Sequence, residues 1–328
     1  MLEVLDTLIK RDKIDLKRYN QKHLEASAMY QGKVWLMPKA YTGNALSMAV
    51  NVDLFKQAGV ALPSADANRS WTWAEFVETL VKLTRTGPDG EVAQFGLGNF
   101  GSVHFTWPLL WDGDWISADL KTATCDSAAM QECYTRFFEL PHRYHVLPRP
   151  GEATRLFGNA NLFTTGKAAV YIVPPWALPQ YTQTKTVELT FVPMPRGRRS
   201  TPDITLDSLG IPKGVKEVEA AWHFTKWLSE GSRYAKYVGK LPAELSQIEP
   251  WVQEQFGIYA DPRPQVVTSA IEHGVAQVNL GRHPKFPLLS NLIVPGLNEQ
   301  VWTQQVAPAD FLKAIKPQVQ DILDGKAG

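Results

Sequence analysis

Apolar positions recur along this chain with two periods, one helical and one alternating, and polar signals mark where each begins. The segment Thr72, Trp73, Ala74, Glu75 spells a capping box, in which the threonine covers the third helical amide and the glutamate reaches back. Phe76, Leu80 and Leu83 then follow on one face, predicting a helix that buries them. A second helix is expected to open near Asp126 with Met130, Cys133, Phe137 and Phe138 inward. A third spans about 217–230, with Ala221, Phe224, Thr225 and Leu228 inward and Gly231 as its stop. Further helices are expected over 264–278 and 308–323, the latter aligning Phe311, Ile315, Val319 and Ile322 and bent at Pro317. Short runs rich in β-formers lie between them, at 34–37, 45–50, 168–173 and 188–194. Strands alternating with helices predict an α/β fold. Sheets of that kind take ligands at the carboxyl ends of their strands, which directs attention to 38–44, 174–176 and 195–210.

Composition narrows the function. With 328 residues, 44% of them apolar, the chain can fill one large core or two smaller ones. Lys plus Arg number 34 against 33 for Asp plus Glu, which excludes a polybasic nucleic-acid binder and an acidic tail. The stretches free of formal charge, 92–111 and 168–184, are interrupted by glycines and prolines and do not read as membrane spans. The first residues, MLEVLDTLIKRDKIDL, mix acids with apolar residues and carry no cleavable export leader, so the chain as written reads as cytoplasmic. Cys125 and Cys133 are eight apart, ~12 Å if one helix joins them, too far for a disulfide. Both are expected as buried apolar residues, and neither cofactor nor metal is expected.

Several segments invite a chemical reading. Gly96, Gly98 and Gly101 spell a dinucleotide fingerprint, but Pro108 falls where the phosphate-binding helix should continue, so nucleotide binding is not expected. Eleven tryptophans are a heavy share, and Trp107, Trp111, Asp112, Asp114 and Trp115 lie close together. Indoles stack on the apolar faces of a sugar while carboxylates accept from its hydroxyls, so this segment reads either as a carbohydrate subsite or as a Trp-rich core beside a turn. Asp112 and Asp114 read alternatively as the catalytic pair of a glycosidase, one protonating the leaving oxygen and the other acting as nucleophile or base. His142 and His145 lack a third ligand nearby and read as a solvated pair. No nucleophile elbow, zincin helix or phosphate-binding loop is present.

Four segments, in this order, resemble the carbohydrate-type extracellular solute-binding proteins, family 1, of bacterial ABC importers, the maltose-binding-protein-like group. They are YQGKVWLMPKAYTGNALSMAVNVDLFKQAGVALP, WTWAEFVETLVKLT, FTTGKAAVYIVPPWALPQY and VPMPRGRRSTPDITLDSLGIPKGVKEVEAAWHFTKWLS. The resemblance implies a two-lobe periplasmic-binding-protein-like α/β fold of class II, a cleft between the lobes, capture of a sugar or oligosaccharide, and no catalysis. It implies hinge strands near 45–50 and 204–210, a first lobe of 1–48 and 208–285, and a second of 49–207 and 286–328. The first lobe is expected to be incomplete at its N-terminus, because relatives carry a signal peptide and further βα units before the Y-x-G-K segment, and a truncated remnant without binding activity stands as an alternative to the binding reading. Carried over by position, the ligand-binding set is Tyr41, Thr42 and Asn44 in the post-strand loop that faces the cleft, Trp176 after an apolar strand, and Asp207 and Ser208 beside the second hinge, with Trp107, Trp111 and Asp112 matching less closely. The implied partners are a small carbohydrate and a membrane permease, with no nucleic acid, and the protein is expected as a monomer on the outer side of the membrane.

Overall fold

The computed structural model describes residues 2–42, 47–100, 104–173, 181, 186–199, 203–256, 263–276 and 279–326. Its strands are β1 (Met29–Tyr30), β2 (Lys33–Val34), β3 (Met37–Thr42), β4 (Ser47–Asn51), β5 (Arg85–Thr86), β6 (Val92–Leu97), β7 (Ala168–Val173), β8 (Leu189–Val192), β9 (Asp203–Leu209) and β10 (Val275–Ala276). The helices that carry the argument are α1 (Gln21–Ala28), α2 (Trp73–Leu83), α3 (Ala128–His142), α4 (Val218–Ser229), α5 (Arg233–Val238), α6 (Pro264–His273) and α7 (Pro308–Leu323). Among the described residues β5-β6-β7-β4-β8 form a mixed sheet and β10-β9-β3 a smaller one, while β1 and β2 make a hairpin.

In the larger sheet β4 runs antiparallel to both β7 and β8, and β6 is parallel to β7. Every residue of β4 is buried, the mark of a central strand covered on both faces. Asn51 ends that strand and accepts from the Leu54 amide, so one side chain converts strand into helix. The capping box forms as read: the Glu75 amide donates to Thr72 Oγ1 at 3.3 Å and the Thr72 amide to Glu75 Oε2 at 2.7 Å. Phe76, Leu80 and Leu83 are fully buried. Gly96 explains how closely α2 approaches β6, since a Cβ there would stand 2.3 Å from the Leu80 carbonyl oxygen. The glycines of the fingerprint thus include one that serves packing, and β6, where Gly96 lies, is a buried strand that the fingerprint obscured.

In the smaller sheet β3 pairs antiparallel with β9, Tyr41 opposite Leu206 and Thr42 opposite Thr205. The chain passes from this sheet to the larger between Thr42 and Ser47 and returns between Val192 and Asp203. The two segments expected as hinge strands are therefore central strands, β4 in one sheet and β9 in the other. One core cluster joins Trp73, Trp107, Trp111, Phe137 and α7 around the larger sheet. A second draws Tyr41, Ile204 and Leu206 from the small sheet together with Ala49, Val173 and Phe191 from the large one.

The helices expected at 264–278 and 308–323 are α6, stopped by Gly274, and α7, with Phe311, Ile315, Val319 and Ile322 buried. The inward face of α4 differs from its expectation. Trp222, Thr225 and Ser229 are buried, whereas Phe224 is 61% exposed. The run at 34–37 is broken, because Val34 closes the hairpin while Met37 opens β3. Both cysteines are buried and free, and Cys125 precedes α3 rather than sharing it with Cys133. No helix among the described residues is long and apolar enough to cross a membrane.

Candidate functional site

The β3–β9 pair brings together more of the expected site residues than any other element. Side chains alternate between the faces of a strand, so Ile204 and Leu206, 1% and 3% exposed, enter the core while Thr205 and Asp207 take the opposite, partly open face. Thr42 joins that open face, half-buried opposite Thr205. Asp207 lies there between two lysines, with Lys39 Nζ at 3.4 Å and Lys240 Nζ at 3.6 Å from its Oδ2. Both ammonium groups also stand over the Tyr234 ring, 4.2 and 5.7 Å from its centre. Lys240 reaches this place because the segment after α5 runs along the free edge of β3, where the Tyr41 amide donates to the Leu241 carbonyl at 2.8 Å. Ser208, the next residue, turns its hydroxyl back to donate to the Leu206 carbonyl at 3.2 Å.

Tyr41 corrects its expectation. Pairing with Leu206 directs its side chain into the core, where it is fully buried, edge-on to His23, with its hydroxyl 3.4 Å from His23 Nδ1. Burial raises its phenol well above the ordinary range and pushes the His23 imidazole down to about 4. Asn44 and Trp176 lie outside the described residues.

The Trp-rich segment resolves as core. Trp107 is fully buried and Trp111 only 2% exposed. Trp73 meets both edge-on, at ring-centre distances of 5.6 and 5.0 Å, and Trp107 donates its indole N–H to the Phe100 carbonyl at 3.2 Å. An indole packed in this way has no face left for a sugar ring, so the assignment of Trp107 and Trp111 to a ligand subsite is corrected. Asp112 sits just beyond them at φ 62°, exposed and ion-paired with Arg199. Asp114 turns the other way, accepting from the Trp115 amide at 2.7 Å and the Asn279 amide at 2.9 Å, and burial pushes its carboxyl up to about 6. These bonds make it the tie between the Trp-rich loop and the segment that re-enters the larger core at Leu280. Asp112 therefore serves an arginine and Asp114 a backbone.

Among the described residues no group of three His, Cys, Asp or Glu is placed to hold a metal ion. His142 Nε2 lies 3.1 Å from the Trp302 carbonyl and His145 Nε2 2.8 Å from Glu152, so the two histidines serve separate local contacts. Sequence reasoning missed Lys39, Lys240 and Tyr234. Lys39 left one signal, as the single charged residue of its strand.

The fold and these positions can be set beside known proteins. No curated protein sequence matches the chain. The ABC substrate-binding protein of Listeria monocytogenes, solved in complex with cycloalternan, superposes with a TM-score of 0.80 at 20% identity, covering 98% of this chain and 80% of that one. UgpB from Mycobacterium tuberculosis, in complex with glycerophosphocholine, gives 0.76 at 18% identity, covering 99% and 80%. The maltose/maltodextrin-binding domain MalE of Bdellovibrio bacteriovorus, bound to maltotriose, gives 0.70 at 19% identity, again covering 99% and 80%. The architecture is thus that of the class II periplasmic binding proteins. The sequence model described as bacterial extracellular solute-binding protein matches residues 1–230, more than half of the chain, and it is to this family that the chain belongs.

Proposed function

We propose that this protein is the solute-binding component of an ABC importer and captures a sugar or oligosaccharide between its two lobes. The observation that carries the reading is the crossing of the chain between two sheets, after β3 and before β9, in a fold that matches solute-binding proteins over 98% of its length. Such crossings are the points at which hinge rotation closes a cleft. Relatives of this architecture are described with cycloalternan and maltotriose bound, which supports a carbohydrate as the solute. We place the first lobe around β3, β9 and β10 and the second around β4 to β8 with α3 and α7. The ligand set comprises Thr42, Asp207 and Ser208 on the β3–β9 pair, together with Asn44, Trp176 and the exposed Asp112 from the resemblance. The partner is a membrane permease on the outer side of which a monomer docks.

A panel of oligosaccharides tested by thermal shift and calorimetry checks this. A ligand at 100 times its dissociation constant adds about 2.7 kcal/mol of stability, well within detection. Failure of every sugar to bind or to raise the melting temperature overturns the sugar reading. Release of reducing ends, abolished in Asp112→Asn or Asp114→Asn, would favour a glycosidase instead.

A further inference from the structure

We infer that the open face of the β3–β9 pair receives an acidic group of the solute, a carboxylate or a phosphate ester, between Lys39 and Lys240. The inference rests on the solute-binding reading and specifies the chemistry of its ligand. It begins with a β-bulge. The register steps from Pro38 opposite Ser208 to Ala40 opposite Asp207, so Lys39 is the extra residue on its strand. A bulge re-aims the side chain it carries, and here that side chain reaches Asp207 across the pair. Without the bulge, a residue preceding Ala40, which is buried but pairs with Asp207 and shares its face, would point to the other face with Tyr41 and Leu206.

Among the described residues the charges then do not balance. Two ammonium groups share one carboxylate, at 3.4 and 3.6 Å, distances at which neither forms a tight charge-assisted hydrogen bond. Lys39 is only 14% exposed and Lys240 24%, so water screens this excess positive charge less than it would on an open surface. Each ammonium carries three donors. A polyhydroxylated anion supplies a second negative group for the lysines and hydroxyls for Thr42 and Thr205, which lie further along the same face of the pair. The Tyr234 ring under both ammonium groups holds them in place by cation–π attraction and keeps their tips directed to the same point.

The test measures binding of the whole chain to maltotriose, trigalacturonate and glucose 6-phosphate by calorimetry, at low and at high salt. An acidic probe is expected to bind at least tenfold more tightly than the neutral one, with affinity falling as salt rises. Trigalacturonate and glucose 6-phosphate distinguish a carboxylate from a phosphate as the preferred group. Lys240→Gln and Lys39→Gln are each expected to weaken the acidic probe tenfold or more, provided the variants melt as the parent does. Asp207→Asn decides the sign. Removing the competing carboxylate should tighten an acidic ligand several-fold, whereas a neutral sugar whose hydroxyls donate to Asp207 would bind more weakly. Tight binding of maltotriose that is indifferent to both lysine variants overturns the inference and leaves the sugar reading standing. If none of the three probes nor any other sugar binds, the sugar reading falls and the inference falls with it.

Discussion

His23 and Tyr41 show what a single buried pair does to the protein as a whole. Both are fully buried, and the histidine is held neutral, its pKa lowered from 6.5 to about 4 mainly by desolvation. Above pH 6.5 folded and unfolded chains both carry it uncharged and it costs nothing. As pH falls from 6.5 toward 4 the unfolded chain takes a proton that the native state refuses, so stability declines by about 3 kcal/mol. His104 is lowered to about 4 by the same cause and adds to the loss. Asp114, raised from 3.8 to about 6, has the opposite sign: its destabilising charge disappears over much of the same interval as pH falls. Denaturant titrations at pH 7 and pH 5 should therefore show a smaller drop for His23→Gln than for the parent. An equal drop would mean that His23 protonates freely in the native state. The tryptophans give a second expectation at this scale. Trp107→Ala should cost about 3–5 kcal/mol of stability, as for any buried large-to-small change. Trp176→Ala is expected instead to reduce sugar affinity tenfold or more, as for an aromatic hot spot, with little change in melting temperature. Loss of affinity in a folded Trp107 variant and none in Trp176→Ala would reverse the two roles.

At the scale of elements, local chemistry and packing can be separated by substitution. Thr72→Ala removes one half of a capping box whose two bonds are both formed, and should cost about 1 kcal/mol in urea unfolding. Gly96→Ala should cost more, about 1–3 kcal/mol, because its methyl would strike the Leu80 backbone, which belongs to a helix and cannot give locally. A cost for Gly96→Ala below that of Thr72→Ala would show that α2 slides freely on β6. The helices were legible because caps and a 3.6-residue period act within a few residues of one another. In α7 the aligned Phe311, Ile315, Val319 and Ile322 are all buried. In α4 the same reasoning chose Phe224, and the structure buries Trp222 instead. Periodicity reports that a helix has apolar stripes, but the neighbour decides which stripe is covered, and here Trp222 also donates its indole N–H to Asp12, 210 residues away. Phe224→Ala is accordingly expected within about 0.5 kcal/mol of the parent, the usual range for an exposed position.

For the whole molecule, a cleft that closes on its solute should bury surface from both lobes, so binding should stabilise the two cooperatively. Saturating ligand is expected to raise a single melting transition; two transitions of which only one moves would place the ligand within one lobe. The sequence by itself determined the alternation of strands and helices, the capped helices, the buried cysteines and, through four ordered segments, the family. These follow from neighbours in sequence, where capping bonds, turn residues and side-chain periods are fixed. It did not determine which tryptophans were core, because stacking on a sugar and packing edge-on against Trp73 demand the same residue type. Nor did it reveal Lys39, Asp207, Lys240 and Tyr234 as one group. Lys39 and Asp207 are 168 positions apart, and what joins them is the antiparallel register of β3 on β9 and one extra residue in a bulge. Register and bulge are settled when two distant strands bury Tyr41, Ile204 and Leu206 in a common core, and only that tertiary event turns the lone charge of β3 into half of a cationic pair.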